Sequence, residues 1–249
     1  MREHHEPALV PVPRSKTLTD DVVRHAAEAP DGIALARRVG GTWVEVTASR
    51  FAEEVRAVAR GLIATGVQPG DRVAIMSRTR YEWTLADYAV WWAGGVVVPI
   101  YETSSAEQVE WILSDSGAVA VFLESARHVE VFAEVSDRVP GVRDVHVFDD
   151  GGLDALAGQG AGIADDELEA RRTSRGPDDL ATIIYTSGTT GRPRTCRTPR
   201  ARRLGRCSAW PCSQRRPRPG CSRRARGRGP RARRRRAPEW GRGGRHRAG

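Results

Sequence analysis

Between Tyr185 and Arg194 the chain reads YTSGTTGRPR. Thr186, Ser187, Thr189 and Thr190 bring hydroxyls into one short stretch, and each hydroxyl can donate a hydrogen bond. Gly188 and Gly191 tolerate positive φ and leave room for a ligand close to the backbone. Exposed backbone N–H groups flanked by hydroxyls form a concave anion site of the nest type. Arg192 and Arg194 add positive charge on one flank. A polyphosphate uses all of these groups at once. The stretch is not a Walker A loop, which needs G-x-x-x-x-G-K-[ST]. The same residues would also make a solvated turn between two strands, and spacing alone does not separate the two readings.

The elements around this loop follow from hydrophobic periodicity. The run DLATIIYT leads directly into it as an apolar strand. Upstream, RVAIMS (72–77), VVVPI (96–100), AVAVFL (118–123) and DVHVF (144–148) read as strands, and IALARR and TWVEV as a pair around Gly40-Gly41. Helices fall between them. The helix from Ala48 to Thr65 is marked by Thr47 before it, Gly66 after it, and Phe51, Val55, Val58, Ala59, Leu62 and Ile63 on one stripe. YEWTLADYAVWWAG reads as a mostly buried helix, with Trp91 and Trp92 in the core. Ser105 and Gln108 form a capping box for AEQVEWILSDS, which Gly117 closes. Further helices are expected over TLTDDVVRHAAEA (17–29), which opens on cap-type residues and is stopped by Pro30, near 126–136 and over ADDELEARR, with a polar, Gly-rich connection running to about Gly162. Apolar strands alternating with helices imply an α/β fold, a mostly parallel sheet covered on both faces. The loop then lies past the carboxyl end of a strand, where such sheets bind ligands.

Charge divides the chain sharply. Residues 1–194 carry 20 Lys and Arg against 30 Asp and Glu, a balance of −10. Residues 195–249 carry 20 arginines against Glu239 alone, a balance of +19. All four cysteines (196, 207, 212 and 221) lie in that second part, without a CxxC pair, so neither a disulfide framework nor a zinc site is expected. The histidines form no ligand pair and read as surface residues; no metal ligand is assigned. The N-terminus has charges and prolines where a signal peptide needs an apolar run. The most apolar window, Ala89 to Tyr101, has 13 residues, against the roughly 20 of a membrane span. The expectation is a cytoplasmic protein without a transmembrane segment. Three regions are expected: a flexible segment 1–15, a folded domain 16–194, and a disordered tail 195–249 whose only Leu, Ile, Val, Met or Phe is Leu204.

The loop resembles the phosphate loop of the adenylate-forming (AMP-binding) superfamily, roughly [ST]SGTTGxPK. Seven positions agree, and Arg194 stands where that family usually has lysine. The stretch GVQPGDRVAIMSRTRYEWTLADYAVWWAGGVVVPIYETSSAEQVEWILSDSGAVAVF is similar to the start of a long-chain fatty-acid–CoA ligase. The likeness covers about residues 16–194 and none of the tail. It implies ATP, Mg2+ and coenzyme A as co-substrates of the intact enzyme and a long-chain fatty acid as the group adenylated and then passed to the thiol. It assigns phosphate binding to Thr186, Ser187, Gly188, Thr189, Thr190, Gly191 and Arg194. No catalytic residue is assigned. The family's aromatic-Gly-x-Thr-Glu motif and catalytic lysine are not found, Lys16 being the sole lysine. The expectation is therefore a truncated fragment of an N-terminal domain, not competent by itself.

Arg, Ala, Gly and Pro make up 40 of the 55 residues from 195 on, against 72 of the first 194. All four are encoded by G/C-rich codons, so a frameshift just after Arg194 is the leading explanation of the tail. The alternative is an arginine-rich, nucleic-acid-binding protein, in which RRARGRGPRARRRR (223–236) grips RNA or DNA backbones without base specificity.

Overall fold

A computed structural model describes residues 16–186 and 194–200. Helix α1 (Asp20–Glu28) comes first, followed by the strands β1 (Ile33–Val39) and β2 (Thr42–Thr47), paired antiparallel. Helix α2 (Ala48–Ala64) starts where Thr47 Oγ1 accepts the Arg50 amide at 3.3 Å. The chain then alternates: β3 (Arg72–Met76), α3 (Tyr81–Trp92), β4 (Val96–Ile100), α4 (Ala106–Ser116), β5 (Ala118–Leu123), α5 (Ala126–Ala133), β6 (Asp144–Val147), α6 (Gly152–Gln159), α7 (Asp165–Thr173), β7 (Leu180–Thr186) and β8 (Arg194–Pro199).

Among the described residues the main sheet has the order β6-β5-β3-β4-β7-β8. All neighbours are parallel except β8, which runs antiparallel to β7. Side chains alternate across each strand, so both faces need cover. Val73 and Ile75 of β3 join a core built with α1, α2, α3, α6 and α7. Ala74 and Met76 join a second core with α4 and α5. The expected α/β class with helices on both faces is the observed one. The capping box of α4 is present, and Gly117 ends the helix at φ 63°. Trp91 and Trp92 are buried in the first core.

Four expectations are corrected. The connection before Gly162 contains α6, whose Leu153 and Leu156 are buried in the first core. The helix expected over 126–136 stops at Ala133 and gives way to a 3-10 turn at Ser136–Arg138. His128 is buried, with Nδ1 3.0 Å from Ser125 Oγ, because α5 turns it inward. Ordered structure does not end at Arg194: Arg194–Pro199 forms β8, because a hairpin partner supplies the backbone hydrogen bonds that the side chains there do not suggest. Residues 1–15, expected to be flexible, and 201–249, expected to be disordered, lie outside the described residues. No helix among the described residues is long and apolar enough to cross a membrane.

Candidate functional site

The parallel strands all point their carboxyl ends to one edge of the sheet, and the loop opens there. β7 is held in place from three sides. It lies between β4 and β8. Its Ala181 carbonyl accepts the indole N–H of Trp91 on α3 at 3.0 Å. Its Ile183 and Tyr185 side chains pack into the second core beside Val109, Ile112 and Leu113 of α4. Val97 of β4 pairs with Thr182 of β7.

Of the residues singled out in the sequence, Thr186 is the last of β7 and Arg194 the first of β8. They are cross-strand partners, so their backbones close the loop at its base. Ser187, Gly188, Thr189, Thr190 and Gly191 lie outside the described residues. One pair further from the loop, Tyr185 faces Thr195. The Tyr185 hydroxyl donates to Asp115 Oδ2 of α4 at 2.6 Å, and Thr195 Oγ1 lies 3.5 Å from the same oxygen. Burial first, and then the Asp115 carboxylate, raise the Tyr185 hydroxyl well above the ordinary tyrosine value, so it stays a donor.

Two features of this edge escaped the sequence reading. Beyond β5, the buried Glu124 accepts from Ser77 Oγ at 3.0 Å, from the Arg78 amide at 2.8 Å and from Arg78 Nε at 2.8 Å. Arg80 bridges Glu82 and Asp149. These contacts tie the turns after β3, β5 and β6 together. A cavity of about 480 Å³ opens nearby between β1, α2, α3 and residues 148–157. Glu54 accepts the Tyr81 hydroxyl there at 2.6 Å, and the Arg37 guanidinium lies 5.0 Å from the Tyr81 ring centre. Among the described residues lining it, Thr186 does not appear. Neither feature has a pattern along the chain, since each joins residues from separate turns. Among the described residues no three His, Cys, Asp or Glu side chains converge on a metal position.

A mostly parallel sheet whose strand carboxyl ends share one edge is a framework on which α/β domains bind ligands at that edge. The chain belongs to the AMP-binding enzyme family, whose family model matches residues 22–216. The match runs past Arg194, so the likeness does not stop where the composition changes, as the sequence reading had expected. The chain is 46% identical over 199 residues to the long-chain-fatty-acid–CoA ligase FadD15 of Mycobacterium tuberculosis, covering 79% of this chain and 33% of the relative. It thus spans about one third of that relative's length. The inhibitor-bound N-terminal domain of FACL13 from Mycobacterium tuberculosis superposes with a TM-score of 0.61 at 27% identity, over 74% of this chain and 44% of that one. The long-chain-fatty-acid–CoA ligase FadD1 of Archaeoglobus fulgidus gives a TM-score of 0.63 at 22% identity, over 80% of this chain and 39% of that one, a likeness of fold.

Proposed function

We propose that this chain is the phosphate-loop segment of an AMP-forming long-chain fatty-acid–CoA ligase. In the whole reaction a fatty carboxylate oxygen bonds to the α-phosphorus of ATP while the bond to pyrophosphate breaks. The thiolate of coenzyme A then attacks the acyl carbonyl, and AMP leaves. The part assigned to this chain is electrostatic. The hydroxyls of Thr186, Ser187, Thr189 and Thr190, with backbone N–H groups around Gly188 and Gly191, hold the β- and γ-phosphates of Mg-ATP. They also offset the charge gathering on departing pyrophosphate. Arg194 supplies a cation where the family usually has lysine, with a planar fork in place of a point charge. ATP and coenzyme A make the cytoplasm the natural compartment.

The observation that carries this reading is the base of the loop: Thr186 and Arg194 paired across a hairpin at the ligand-binding edge of a parallel sheet. The 46% identity to a fatty-acid–CoA ligase supports the choice of substrate. The test is a titration of the full chain with Mg-ATP, alongside Thr189→Ala and Thr190→Ala. Each lost hydroxyl is expected to weaken binding by about ten- to a hundredfold, the scale of one hydrogen bond to a charged ligand. Unchanged affinity in both variants would sink the assignment. The 249 residues contain neither the aromatic-Gly-x-Thr-Glu motif nor a lysine beyond Lys16, so acyl-CoA formation by this chain alone is not expected. Polyanion binding by 223–236 is a further property proposed from charge. Binding of RNA oligonucleotides of different sequence should be equal and should fall steeply with salt.

A further inference from the structure

Asp115 sits in the last turn of α4, where the helix dipole disfavours a carboxylate and where the helix has no basic residue of its own. The helix itself gains nothing from an acid there. What the acid touches is the hairpin: its Oδ2 accepts the buried Tyr185 hydroxyl at 2.6 Å and lies 3.5 Å from Thr195 Oγ1. Tyr185 and Thr195 are the cross-strand pair next to Thr186 and Arg194, the pair that closes the loop. One carboxylate oxygen thus reaches both stems of the loop at the same height. Helix α4 is itself fixed to the sheet through Val109, Ile112 and Leu113, so it offers a rigid anchor.

We infer that Asp115 is a positioning residue for the phosphate loop, holding its two stems, at Tyr185 and Thr195, at a set height on α4. This rests on the phosphate-binding reading of the loop. The work is divided between a strong tie to Tyr185 and a longer one to Thr195, which is at the limit of hydrogen-bond length. The charged acceptor makes the first tie the stronger kind of hydrogen bond. Its loss should loosen the hairpin without opening the sheet, because the Trp91–Ala181 tether and the β4 pairing lie further down β7.

The experiment compares the full chain with Asp115→Ala, Asp115→Asn and Tyr185→Phe, the last leaving the ring in its packing. Two quantities are read: Mg-ATP affinity, and hydrogen exchange at the amides of β7 and β8 with those of β3 and β5 as internal controls. Asp115→Ala and Tyr185→Phe are each expected to weaken Mg-ATP about tenfold and to speed exchange in the hairpin alone. The double variant should be no weaker than Asp115→Ala alone, because that substitution already removes the tie to Tyr185. Asp115→Asn keeps an acceptor oxygen and should recover most of the loss. Hairpin exchange and affinity unchanged in Asp115→Ala would overturn the inference, as would a hairpin loosened without any change in affinity. If the unaltered chain binds no Mg-ATP, the phosphate reading fails, and the exchange data still decide whether Asp115 fixes the hairpin.

Discussion

The guanidinium of Arg200 is fully buried, and it donates to one acceptor, the Gly95 carbonyl at 3.2 Å. Its Nε and Nη1 have no hydrogen-bond partner among the described residues. Burial, and then the nearby Arg175, pull its pKa down to about 10, so the charge is held at a cost. Arg200→Met keeps the unbranched stem and removes both the unpaired donors and the repulsion. It should stabilise the chain by about 1–3 kcal/mol, roughly 2–4 °C in melting temperature per kcal/mol for a domain of this size. A lower melting temperature would mean that the charge is answered in solution. His146 makes the opposite kind of test. Burial holds its pKa below the usual value, against a weaker upward pull from Asp144, and its ring lies 5.3 Å from that of Phe122. The unfolded chain therefore binds the proton more readily than the folded one. Stability from this site is fully present above roughly pH 6.5, the ordinary histidine value, and is lost as pH falls towards the depressed folded value. Melting curves should shift down across that window, and His146→Gln should flatten the shift. A slope that survives the substitution places the proton elsewhere.

At the scale of elements, the contact between α2 and α6 sets a limit that propensity would not predict. Gly61 lies inside α2, where alanine is intrinsically better by about 1 kcal/mol. A Cβ there would collide with the Leu156 carbonyl of α6, and one at Gly160 would stand 2.5 Å from the Gly61 amide nitrogen. The two segments approach through a pair of missing side chains, and neither obstacle is a flexible side-chain tip. Gly61→Ala should therefore destabilise by about 2–4 kcal/mol net, read as a lower midpoint in urea; a gain in stability would refute the close approach. This contact also explains what could be read along the chain and what could not. Helix α2 announces itself through Thr47, Gly66 and an apolar stripe, all local signals. Helix α6 does not: its glycines suggest a loop, and Leu153 and Leu156 make sense as helix residues only once α2 is there to receive them. The strand RTCRTP of β8 has no apolar alternation, and it is a strand because β7 pairs with it. The candidate loop was legible because its chemistry lies in consecutive residue types. Its anchor on Asp115 was not, because 70 residues separate that carboxylate from Tyr185 and only the docking of α4 brings them together.

For the molecule as a whole, the unexplained quantity is the change from −10 over residues 1–194 to +19 over residues 195–249. Domains separated by selection meet at linkers. Here the composition changes within β8, just after Arg194, and inside the region that the AMP-binding family model matches. A basic segment kept for nucleic acid usually mixes lysine with arginine and sets aromatic rings among them for stacking. After Arg194 there is no lysine, and the two tryptophans, Trp210 and Trp240, stand outside the run 223–236. The first residue beyond β8 is Arg200, placed where the fold buries a side chain, with two nitrogens unanswered. The coding DNA supplies the test without any protein. Read in a second frame downstream of codon 194, it should continue with an apolar strand and, further on, an aromatic-Gly-x-Thr-Glu motif. Stop codons soon after that point in both other frames would refute the frame change. The arginines would then have to be explained as a selected surface for polyanions, whose binding falls by about three orders of magnitude between 50 and 200 mM salt when six or more phosphates are held.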